Sequence, residues 1–362
     1  MLTFPRAFVA ATFAALSLAA RAQPADLDAM LQQALEGSRT PAVGVVEIVQ
    51  GQVARSAVRG LRRSDGAEPV TLDDRWLIGS DAKPMTTALL ARLVDRGLLR
   101  WDQPLAELLP SLKASMRPAY RSVTLMELLS HRAGLPENTS DMKFFNGFYK
   151  DKRDLPAQRL AYVGRALREA PIAPPRTKTS YSNTGFILAA VIAERAAGRP
   201  YEQLMRDEVF GPLGMTSVDY GPPPAGQPQG HTQGKPVQRA EQSNPLMFAP
   251  AGNLHLSLAD WARFCVDQLA GARGEGKLLT AASYQRMHAA APAFALGWGV
   301  QASVAGRKGP VWVHAGSDGN WYAIASLFPD TGHGTLVVAN AGPDMDGDKV
   351  AQAVWLGLLP KP

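Results

Sequence analysis

The chain has 362 residues, of which 46% are hydrophobic and 19% charged, and its formal net charge is +6. This length and hydrophobic content exclude a disordered protein and predict either two lobes or one large α/β domain. The single cysteine, Cys265, excludes an intrachain disulfide and a cysteine-based metal centre. Because Cys265 lies on the apolar face of a predicted helix, we interpret it as a core residue.

The first 22 residues have the pattern of a cleavable export signal. Arg6 supplies a positive start, residues 7–20 are apolar apart from Thr12 and Ser17, and Ala20-Arg21-Ala22 is an A-x-A cleavage site. The apolar run is shorter than the roughly 20 residues of a spanning helix, so no transmembrane segment is expected. Cleavage after Ala22 predicts a periplasmic or secreted protein with a mature chain of residues 23–362.

Hydrophobic periodicity predicts the elements of the mature chain in order. The first part contains a helix over 26–37, paired strands over 43–49 and 53–58, a short strand over 76–78, and a helix that Ser80 opens. The middle contains helices over 125–129, 155–167, 186–197 and 201–210, followed by an irregular surface segment over 221–236. The last part contains a helix over 257–270, strands over 296–300, 311–313, 321–328 and 335–339, and a helix over 344–359.

Strands near both ends and helices between them predict one sheet built from both ends of the chain. The expected fold class is α/β, of the α+β kind, with an antiparallel sheet flanked by helices and an inserted, mainly helical lobe. We predict an α/β lobe over about 23–80 and 245–362 and a helical lobe over about 81–244.

The pattern S-x-x-K, in which a lysine can remove the proton of a serine, occurs twice. Ser80 and Lys83 follow an apolar strand and Gly79 and open a helix, so both side chains are expected on one helix face. The helix N-terminus would also stabilise an oxyanion there. Ser140 and Lys143 lie in a polar segment and are interpreted as solvated loop residues.

Other chemistries lack their motifs. The chain contains no G-x-S-x-G and no H-E-x-x-H, which argues against an α/β-hydrolase and a zincin. It contains no basic helix or zinc module, so no nucleic-acid partner is expected. No cofactor and no metal is expected either.

Two further motifs follow Ser80 and Lys83 along the chain. Ser180-Tyr181-Ser182-Asn183 contains the one Y-x-N of the sequence, and a predicted strand continues into His314-Ala315-Gly316-Ser317. With these motifs in this order, the chain resembles the penicillin-binding-protein/β-lactamase superfamily of active-site serine hydrolases from about Val43 to about Ala341. It is most similar to the branch of class C β-lactamases, D-Ala-D-Ala carboxypeptidases and family VIII carboxylesterases.

The resemblance implies roles for the matching residues. Ser80 would be the acylated nucleophile, Lys83 would accept or relay its proton, and Tyr181 would protonate the leaving group and activate the deacylating water. Asn183 would orient Lys83 and the substrate, and the backbone N–H groups of Ser80 and Ser317 would form an oxyanion hole. The positions expected to bind substrate or oxyanion are Asn183, His314, Gly316 and Ser317.

Two positions depart from the pattern of class C β-lactamases. His314 replaces a lysine, a fixed cation suited to the carboxylate of a β-lactam, which argues against efficient β-lactamase activity. A histidine with a pKa near 6.5 is mostly neutral at pH 7. If one protonation state of its imidazole helps to hold the substrate, kcat/KM should show an inflection near pH 6–7 that His314→Gln abolishes. Asp81 and Pro84 flank Lys83. Two alternatives for Asp81 stay open: its carboxylate lies beside Lys83, keeps it charged and weakens it as a base, or its side chain points to solvent.

The sequence therefore predicts an exported serine hydrolase that cleaves an ester, or an amide such as a D-amino-acid peptide, through an acyl-enzyme at Ser80. The alternatives are a D-Ala-D-Ala carboxypeptidase, a β-lactamase, and a protein that binds penicillin or cell-wall peptide without turnover. Tyr181 argues against the last, since a deacylating acid/base is present. The expected partner is a small-molecule or peptide substrate, and the oligomeric state stays open.

Overall fold

The computed structural model of the chain describes residues 26–238, 243–289 and 294–360. The helices are α1 (Leu27–Leu35), α2 (Lys83–Asp95), α3 (Leu105–Leu108), α4 (Leu125–Leu129), α5 (Met142–Gly147), α6 (Leu155–Ala166), α7 (Asn183–Ala197), α8 (Tyr201–Met205), α9 (Ala249–Gly252), α10 (Leu258–Ala272), α11 (Ala281–His288) and α12 (Gly347–Gly357). The strands are β1 (Ala42–Val49), β2 (Gln52–Gly60), β3 (Arg75–Leu77), β4 (Asp219–Tyr220), β5 (His231–Thr232), β6 (Lys235–Pro236), β7 (Leu254–Ser257), β8 (Gly299–Val304), β9 (Arg307–Ser317), β10 (Tyr322–Phe328) and β11 (His333–Ala339).

The main sheet joins the two ends of the chain. Its six strands lie in the order β2-β1-β11-β10-β9-β8, and every neighbouring pair is antiparallel. In the centre, Val337 of β11 pairs with Val45 of β1 on one side and Ile324 of β10 on the other. The predicted fold class is confirmed, including a sheet built from both ends.

The period-2 alternation of β1 divides its side chains between two packed layers. Val43 and Val45 face one side, where they pack with buried residues of α1 and α12. Val46 and Ile48 face the other side and belong to the large core cluster that α10 also joins. Cys265 on α10 is fully buried in that cluster, as its place on the apolar face predicted.

Helix α7 is the central helix of the middle part of the chain, buried from Asn183 to Glu194. The Ser182 side chain caps its start by accepting the N–H of Gly185, and Gly198 ends it in the left-handed conformation. The predicted helix over 186–197 therefore begins three residues earlier. This earlier start places Asn183 in the first turn, beside α2, on which α7 packs.

A buried ion-pair network joins α6, α7 and α8. The Arg159 side chain is fully buried and donates to Glu194 at 2.7 Å and to Glu202 at 2.8 Å. Removing a partner from a buried pair leaves a desolvated charge, which costs about 3–5 kcal/mol.

We expect Arg159→Ala to lower the free energy of unfolding by about that amount in urea denaturation. The matched control is Arg153→Ala, which removes an arginine that is half exposed and paired with Asp151. That change should cost less than about 1 kcal/mol. Equal losses in the two variants would contradict the network's role.

Several predicted boundaries are wrong. The strand predicted over 296–300 is β8 at Gly299–Val304, and the one predicted over 311–313 is the much longer β9. The segment over 221–236 is not wholly irregular, since β5 and β6 form a short hairpin in it. The polar segment predicted as a loop contains α5, which begins at Met142 and includes Lys143, whereas Ser140 precedes it.

The export signal predicted over residues 1–22 lies outside the described residues. None of the helices in the described ranges is both long and apolar enough to cross a membrane. One hydrophobic cluster runs from the strands of the main sheet to the helices of the middle segment. The two predicted lobes therefore share a core.

Candidate active site

Ser80 lies in a tight turn between β3 and α2. The predicted helix does not open at Ser80: residues Gly79–Ala82 form a 3₁₀ turn, and α2 begins at Lys83. The cause is Pro84, which has no N–H group and cannot donate the α-helical hydrogen bond to the carbonyl oxygen of Ser80. The backbone N–H of Lys83 donates to that oxygen instead, which gives a 3₁₀ turn. Gly79 has a φ of +53°, a conformation that favours glycine, and it turns the chain out of the strand.

Lys83 is fully buried beneath Ser80. Its Nζ lies 2.9 Å from Ser80 Oγ and 2.8 Å from Asn183 Oδ1, and it also contacts the carbonyl oxygen of Ala251. Burial lowers the pKa of Lys83 well below its usual value, although Asp81 and Glu137, when ionised, act in the opposite direction. The structure thus brings the predicted serine, lysine and asparagine together.

Asp81 takes neither of the two positions that the sequence left open. Its side chain is buried, and neither carboxylate oxygen has a hydrogen-bond partner among the described residues. Burial raises the pKa of Asp81 well above its usual value, so the neutral acid is favoured. Asp81 forms no ion pair with Lys83, and desolvation outweighs its effect on the lysine.

Tyr181 completes the cluster from the segment before α7. Its side chain lines the same cleft as Ser80, which acts to lower the pKa of the phenol, and Lys83 Nζ lies 4.8 Å from the centre of the Tyr181 ring. Burial is the main cause that raises the pKa of Tyr181, so its phenol keeps its proton at neutral pH. Lysine and tyrosine thus lie beside one serine hydroxyl, and burial favours the uncharged form of both side chains.

His131 holds Tyr181 in place, a role that its position in the sequence did not indicate. Its Nδ1 accepts the backbone N–H of Ser182 at 3.0 Å, and its ring centre lies 4.6 Å from that of Tyr181. Its backbone has a φ of +58°, in the left-handed region that few non-glycine residues adopt. The one signal in the sequence was its place two residues after α4, where a left-handed residue often ends a helix.

Strand β9 forms the other wall of the cluster. A Cβ at Gly316 would lie 2.6 Å from the backbone nitrogen of Ser80 and would clash with the carbonyl oxygen of Ile78. Only a glycine therefore allows β9 to approach the 3₁₀ turn this closely. A Cβ at Gly79 would likewise lie 2.6 Å from the nitrogen of Ser317, so the 3₁₀ turn and the end of β9 are in close backbone contact.

His314 is buried on β9, with Nδ1 2.9 Å from the carbonyl oxygen of Ala315. Burial lowers its pKa to about 3, and the nearby Lys83 acts in the same direction. The inflection near pH 6–7 that a titrating His314 would give is therefore no longer expected, because burial keeps the imidazole neutral in that range. Sequence reasoning assumed a solvated histidine, whereas the folded chain buries its side chain beside the ring of Tyr181.

We expect His314→Gln to leave the shape of the pH profile of kcat/KM unchanged between about pH 5.5 and 8. Glutamine keeps a neutral polar side chain at this position, so any change in absolute rate should be the same at every pH. Steady-state rates of both proteins at matched pH values test this. Loss of an inflection in the variant would show that His314 titrates in this range.

A cleft of about 480 Å³ opens over Ser80. Tyr181, Asn183 and Ser317 line it, together with residues that the sequence analysis did not select: Glu137, Asn138, Met142, Phe145, Asn244, Phe248, Gly252, Ala315 and Asp318. Among the described lining residues there are two carboxylates and no lysine or arginine. A smaller cavity of about 370 Å³ lies on the other side of Tyr181, beside His314 and Phe294.

An antiparallel sheet with helices on both faces, and a serine, a buried lysine and a tyrosine close together beside one of its strands, are typical of active-site serine hydrolases. The chain belongs to the Beta-lactamase family, whose family model matches residues 27–359. The predicted resemblance is therefore confirmed at the level of the family, and with it a serine hydrolase.

Curated relatives differ in what they are named for. Penicillin-binding protein 4 of Amycolatopsis lactamdurans is 28% identical over 322 residues, which cover 83% of this chain and 81% of that protein. The D-alanyl-D-alanine-carboxypeptidase/endopeptidase AmpH of Escherichia coli K12 is 26% identical over 294 residues, covering 75% and 72%. Esterase EstB of Burkholderia gladioli is 32% identical over 214 residues, covering 57% and 54%.

Solved structures share the fold. The octameric penicillin-binding protein homologue from Pyrococcus abyssi has a TM-score of 0.74 and 21% identity over 91% of this chain and 77% of its own. A D-stereospecific amidohydrolase from Streptomyces sp. has a TM-score of 0.71 and 24% identity, covering 91% and 98%.

Proposed function

We propose that this protein hydrolyses esters or amides through a covalent acyl-enzyme on Ser80. The observation that carries the proposal is the contact of Ser80 Oγ with a buried lysine whose pKa is strongly lowered. A serine hydroxyl becomes a useful nucleophile only when an adjacent base takes its proton. Lys83 in its neutral form is such a base.

The three oxygens around Lys83 Nζ suit an ammonium, which donates to all of them, and also the neutral amine that the proposed base requires. The carbonyl oxygen of Ala251 and the amide oxygen of Asn183 can only accept hydrogen bonds. A neutral amine has two N–H groups, which these oxygens occupy, and one lone pair. In the neutral form the lone pair is left for the hydrogen of Ser80 Oγ, which lies 2.9 Å from Nζ.

In the proposed acylation, Ser80 Oγ bonds to the substrate carbonyl carbon as its proton passes to Lys83. The phenol of Tyr181 donates its proton to the leaving alcohol or amine, and the Lys83 ammonium restores the proton of Tyr181. The net result is transfer of one proton from Ser80 to the leaving group. A water molecule repeats these steps in deacylation, which releases the acid and returns Ser80 to its hydroxyl form.

The carbonyl oxygen gains negative charge in both steps, and backbone N–H groups are suited to stabilise it. We assign this role to the N–H groups of Ser80 and Ser317, because the contact between Gly316 and the 3₁₀ turn brings the two segments together. Asn183 and Gly316 are then positioning residues. Asn183 orients Lys83, and its own Nδ2 donates to Asn138 at 3.1 Å.

The cleft favours an ester or amide without a carboxylate next to the scissile bond. β-Lactams and peptides ending in D-Ala-D-Ala both carry one, and a carboxylate is bound well by lysine or arginine. The described part of the cleft offers Glu137 and Asp318 instead, and His314 is neutral. D-Ala-D-Ala carboxypeptidase activity remains the second candidate, because the relatives that match over most of the chain include AmpH.

We also propose that the protein is exported to the periplasm or secreted, on the charged, apolar and A-x-A pattern of residues 1–22. Expression of the full-length gene product, with N-terminal sequencing of the mature protein, tests this proposal. A first residue of Gln23 would support it, and an intact Met1 in the cytoplasmic fraction would contradict it.

The proposed hydrolysis is tested by measuring product release from three substrate classes with equal enzyme. These are a p-nitrophenyl acyl ester, a peptide ending in D-Ala-D-Ala, and a penicillin. We expect kcat/KM to be highest for the ester. Faster release of D-Ala would support a carboxypeptidase, and a stable penicillin adduct without turnover of any substrate would support a binding protein.

A further inference from the structure

We infer that the protein binds the surface of an anionic lipid bilayer through a basic surface on the helical middle part of the chain. This inference goes beyond the proposed function and does not depend on it. The basic surface consists of residues 113–132 and 165–178, two segments that lie between α3 and α7 along the chain and contact each other in the fold.

The first observation is a segregation of charge. The two segments contain two acidic residues, Glu127 and Glu169, and eight basic ones: Lys113, Arg117, Arg121, Arg132, Arg165, Arg168, Arg176 and Lys178. Their net charge therefore equals the formal net charge of +6 of the whole chain, which has 38 basic and 32 acidic residues. The rest of the chain is electrically neutral in sum, so the excess positive charge belongs to this one surface.

Backbone contacts join the two segments into a continuous surface. Arg117 Nε donates to the carbonyl oxygen of Arg168 at 2.8 Å, and Arg176 Nη2 donates to that of Ser122 at 2.5 Å. The backbone N–H of Arg176 also donates to the carbonyl oxygen of Arg132 at 2.8 Å. All the basic residues of the surface are exposed except Arg132, which is partly buried.

The second observation is that most of these charges are not neutralised within the fold. Among the described residues, carboxylates form ion pairs with Arg165 and Arg176 and with no other basic residue of the surface. Arg117, Arg121 and Arg168 therefore present exposed guanidinium groups without an acidic partner there. A guanidinium can donate two parallel hydrogen bonds to a phosphate, the group that anionic phospholipids present. A cluster of about four to eight lysines and arginines is of the size that binds anionic lipid.

The third observation is an apolar side chain in the middle of the basic surface. Ile172 is 50% exposed and lies in the proline-rich segment 170–175, between Arg168 and Arg176. Its backbone N–H donates to the carbonyl oxygen of Gly134 at 3.0 Å, which holds the segment against the fold. An apolar side chain among cations can enter the boundary between headgroups and acyl chains while the cations bind phosphates.

A bilayer fits this combination better than a soluble polyanion does. A soluble polyanion would bind the cations but would leave Ile172 in water. Nucleic acid is disfavoured further, because Tyr120 is the one tyrosine, phenylalanine or tryptophan of the basic surface and it is buried, so no exposed ring is available for base stacking.

The basic surface lies next to the cleft. Gly134, which contacts Ile172, is followed three residues later by Glu137 in the cleft lining, and Arg176 is followed five residues later by Tyr181. Binding through the basic surface therefore keeps the cleft near the bilayer.

Flotation with lipid vesicles tests the inference. The purified full-length protein is mixed with vesicles of phosphatidylcholine alone, or of phosphatidylcholine and phosphatidylglycerol in a ratio of about 2:1. We expect binding to the anionic vesicles to be about tenfold stronger at low salt. That difference should be lost at about 0.5 M salt, since salt screens exposed charges.

A triple variant removes unpaired cations of the basic surface. We expect Arg117→Gln/Arg121→Gln/Arg168→Gln to bind the anionic vesicles at least about tenfold more weakly than the wild type. None of these side chains forms an ion pair with a carboxylate of the described residues, so the fold should be retained, which circular dichroism and urea denaturation check.

The matched control carries the same change in net charge elsewhere. Arg59→Gln/Arg286→Gln/Lys308→Gln changes exposed residues on β2, α11 and β9, and it should bind within about twofold of the wild type. Ile172→Ser keeps every charge, and it should weaken binding about threefold because the apolar contact is lost. Residues 1–22 are the same in all these proteins, so they cannot cause a difference among them.

Equal binding to neutral and anionic vesicles at low salt, or equal losses in the two triple variants, would overturn the inference. Binding to heparin without binding to anionic vesicles would overturn it as well and would assign the basic surface to a soluble polyanion. An Ile172→Ser protein that binds like the wild type would contradict the insertion of Ile172 into the bilayer.

Discussion

Replacing Ser80 by alanine is expected to lower kcat/KM for ester hydrolysis by about 10⁴-fold or more, because no other group can form the acyl-enzyme. The change removes one half-buried hydroxyl and leaves the backbone of the 3₁₀ turn intact, so the fold and the oxyanion N–H groups should remain. Steady-state rates with a p-nitrophenyl ester, corrected for hydrolysis in buffer, provide the measurement.

The second S-x-x-K pattern supplies a matched control for this prediction. Ser140 is exposed and precedes α5, so Ser140→Ala should retain the wild-type rate within about twofold. A Ser80→Ala protein with more than a tenth of the wild-type rate and an unchanged circular dichroism spectrum would show that catalysis does not pass through Ser80.

Lys83→Met is expected to have the second-largest effect, a loss of about 10³-fold in kcat. Methionine fills a similar volume without a basic nitrogen, so Ser80 keeps its position and loses its proton acceptor. The pH-rate profile of the residual activity should no longer contain the inflection due to the lysine. A kcat within about tenfold of the wild type would assign the base elsewhere.

The same variant has a predicted effect on stability. The folded pKa of Lys83 is lowered by burial, so the unfolded chain binds more protons, and the stability of the wild type rises with pH up to the ordinary lysine value. Urea denaturation of wild type and Lys83→Met between about pH 7 and 10 should show the wild type gaining stability relative to the variant. Lys143→Met on α5 is the control, and a pH-independent difference for Lys83→Met would mean that Lys83 is charged in the folded protein.

The central elements and the Ser80–Lys83 pair could be predicted because their signals are local. A β-branched hairpin predicts β1 and β2, and a serine after a short apolar strand and Gly79 predicts a turn into a helix. The ordered motifs then led to Tyr181 and Asn183. The structure places these side chains in contact, and their catalytic roles stay predictions.

Strand β9 shows where local signals fail. It contains Gly309, Pro310 and Gly316, which in a sequence indicate breaks in a strand, and only residues 311–313 were predicted. The sheet accommodates Pro310 at an irregularity in the pairing of β8 with β9, between Gln301 and Ser303. Gly316 is needed because β9 approaches the backbone of Ser80 closely at this residue. That contact joins residues far apart in the sequence, so no local pattern predicts it.

The charge of the cleft could not be predicted from the sequence because it depends on the fold. Glu137 follows α4 and Asp318 follows β9, far apart along the chain, and only the contact of the main sheet with the helices places them in one cleft. The same holds for the pKa values of His314 and Asp318, which burial moves in opposite directions.

The most direct test of the acyl-enzyme is intact-protein mass spectrometry after rapid acid quenching of the enzyme with a slowly released acyl ester, such as p-nitrophenyl pivalate. The proposed mechanism predicts a mass increase equal to one acyl group, carried by the peptide that contains Ser80 and absent from Ser80→Ala. Ester turnover at the wild-type rate with no adduct on Ser80 would contradict it. An adduct on another residue that persists in Ser80→Ala would contradict it as well.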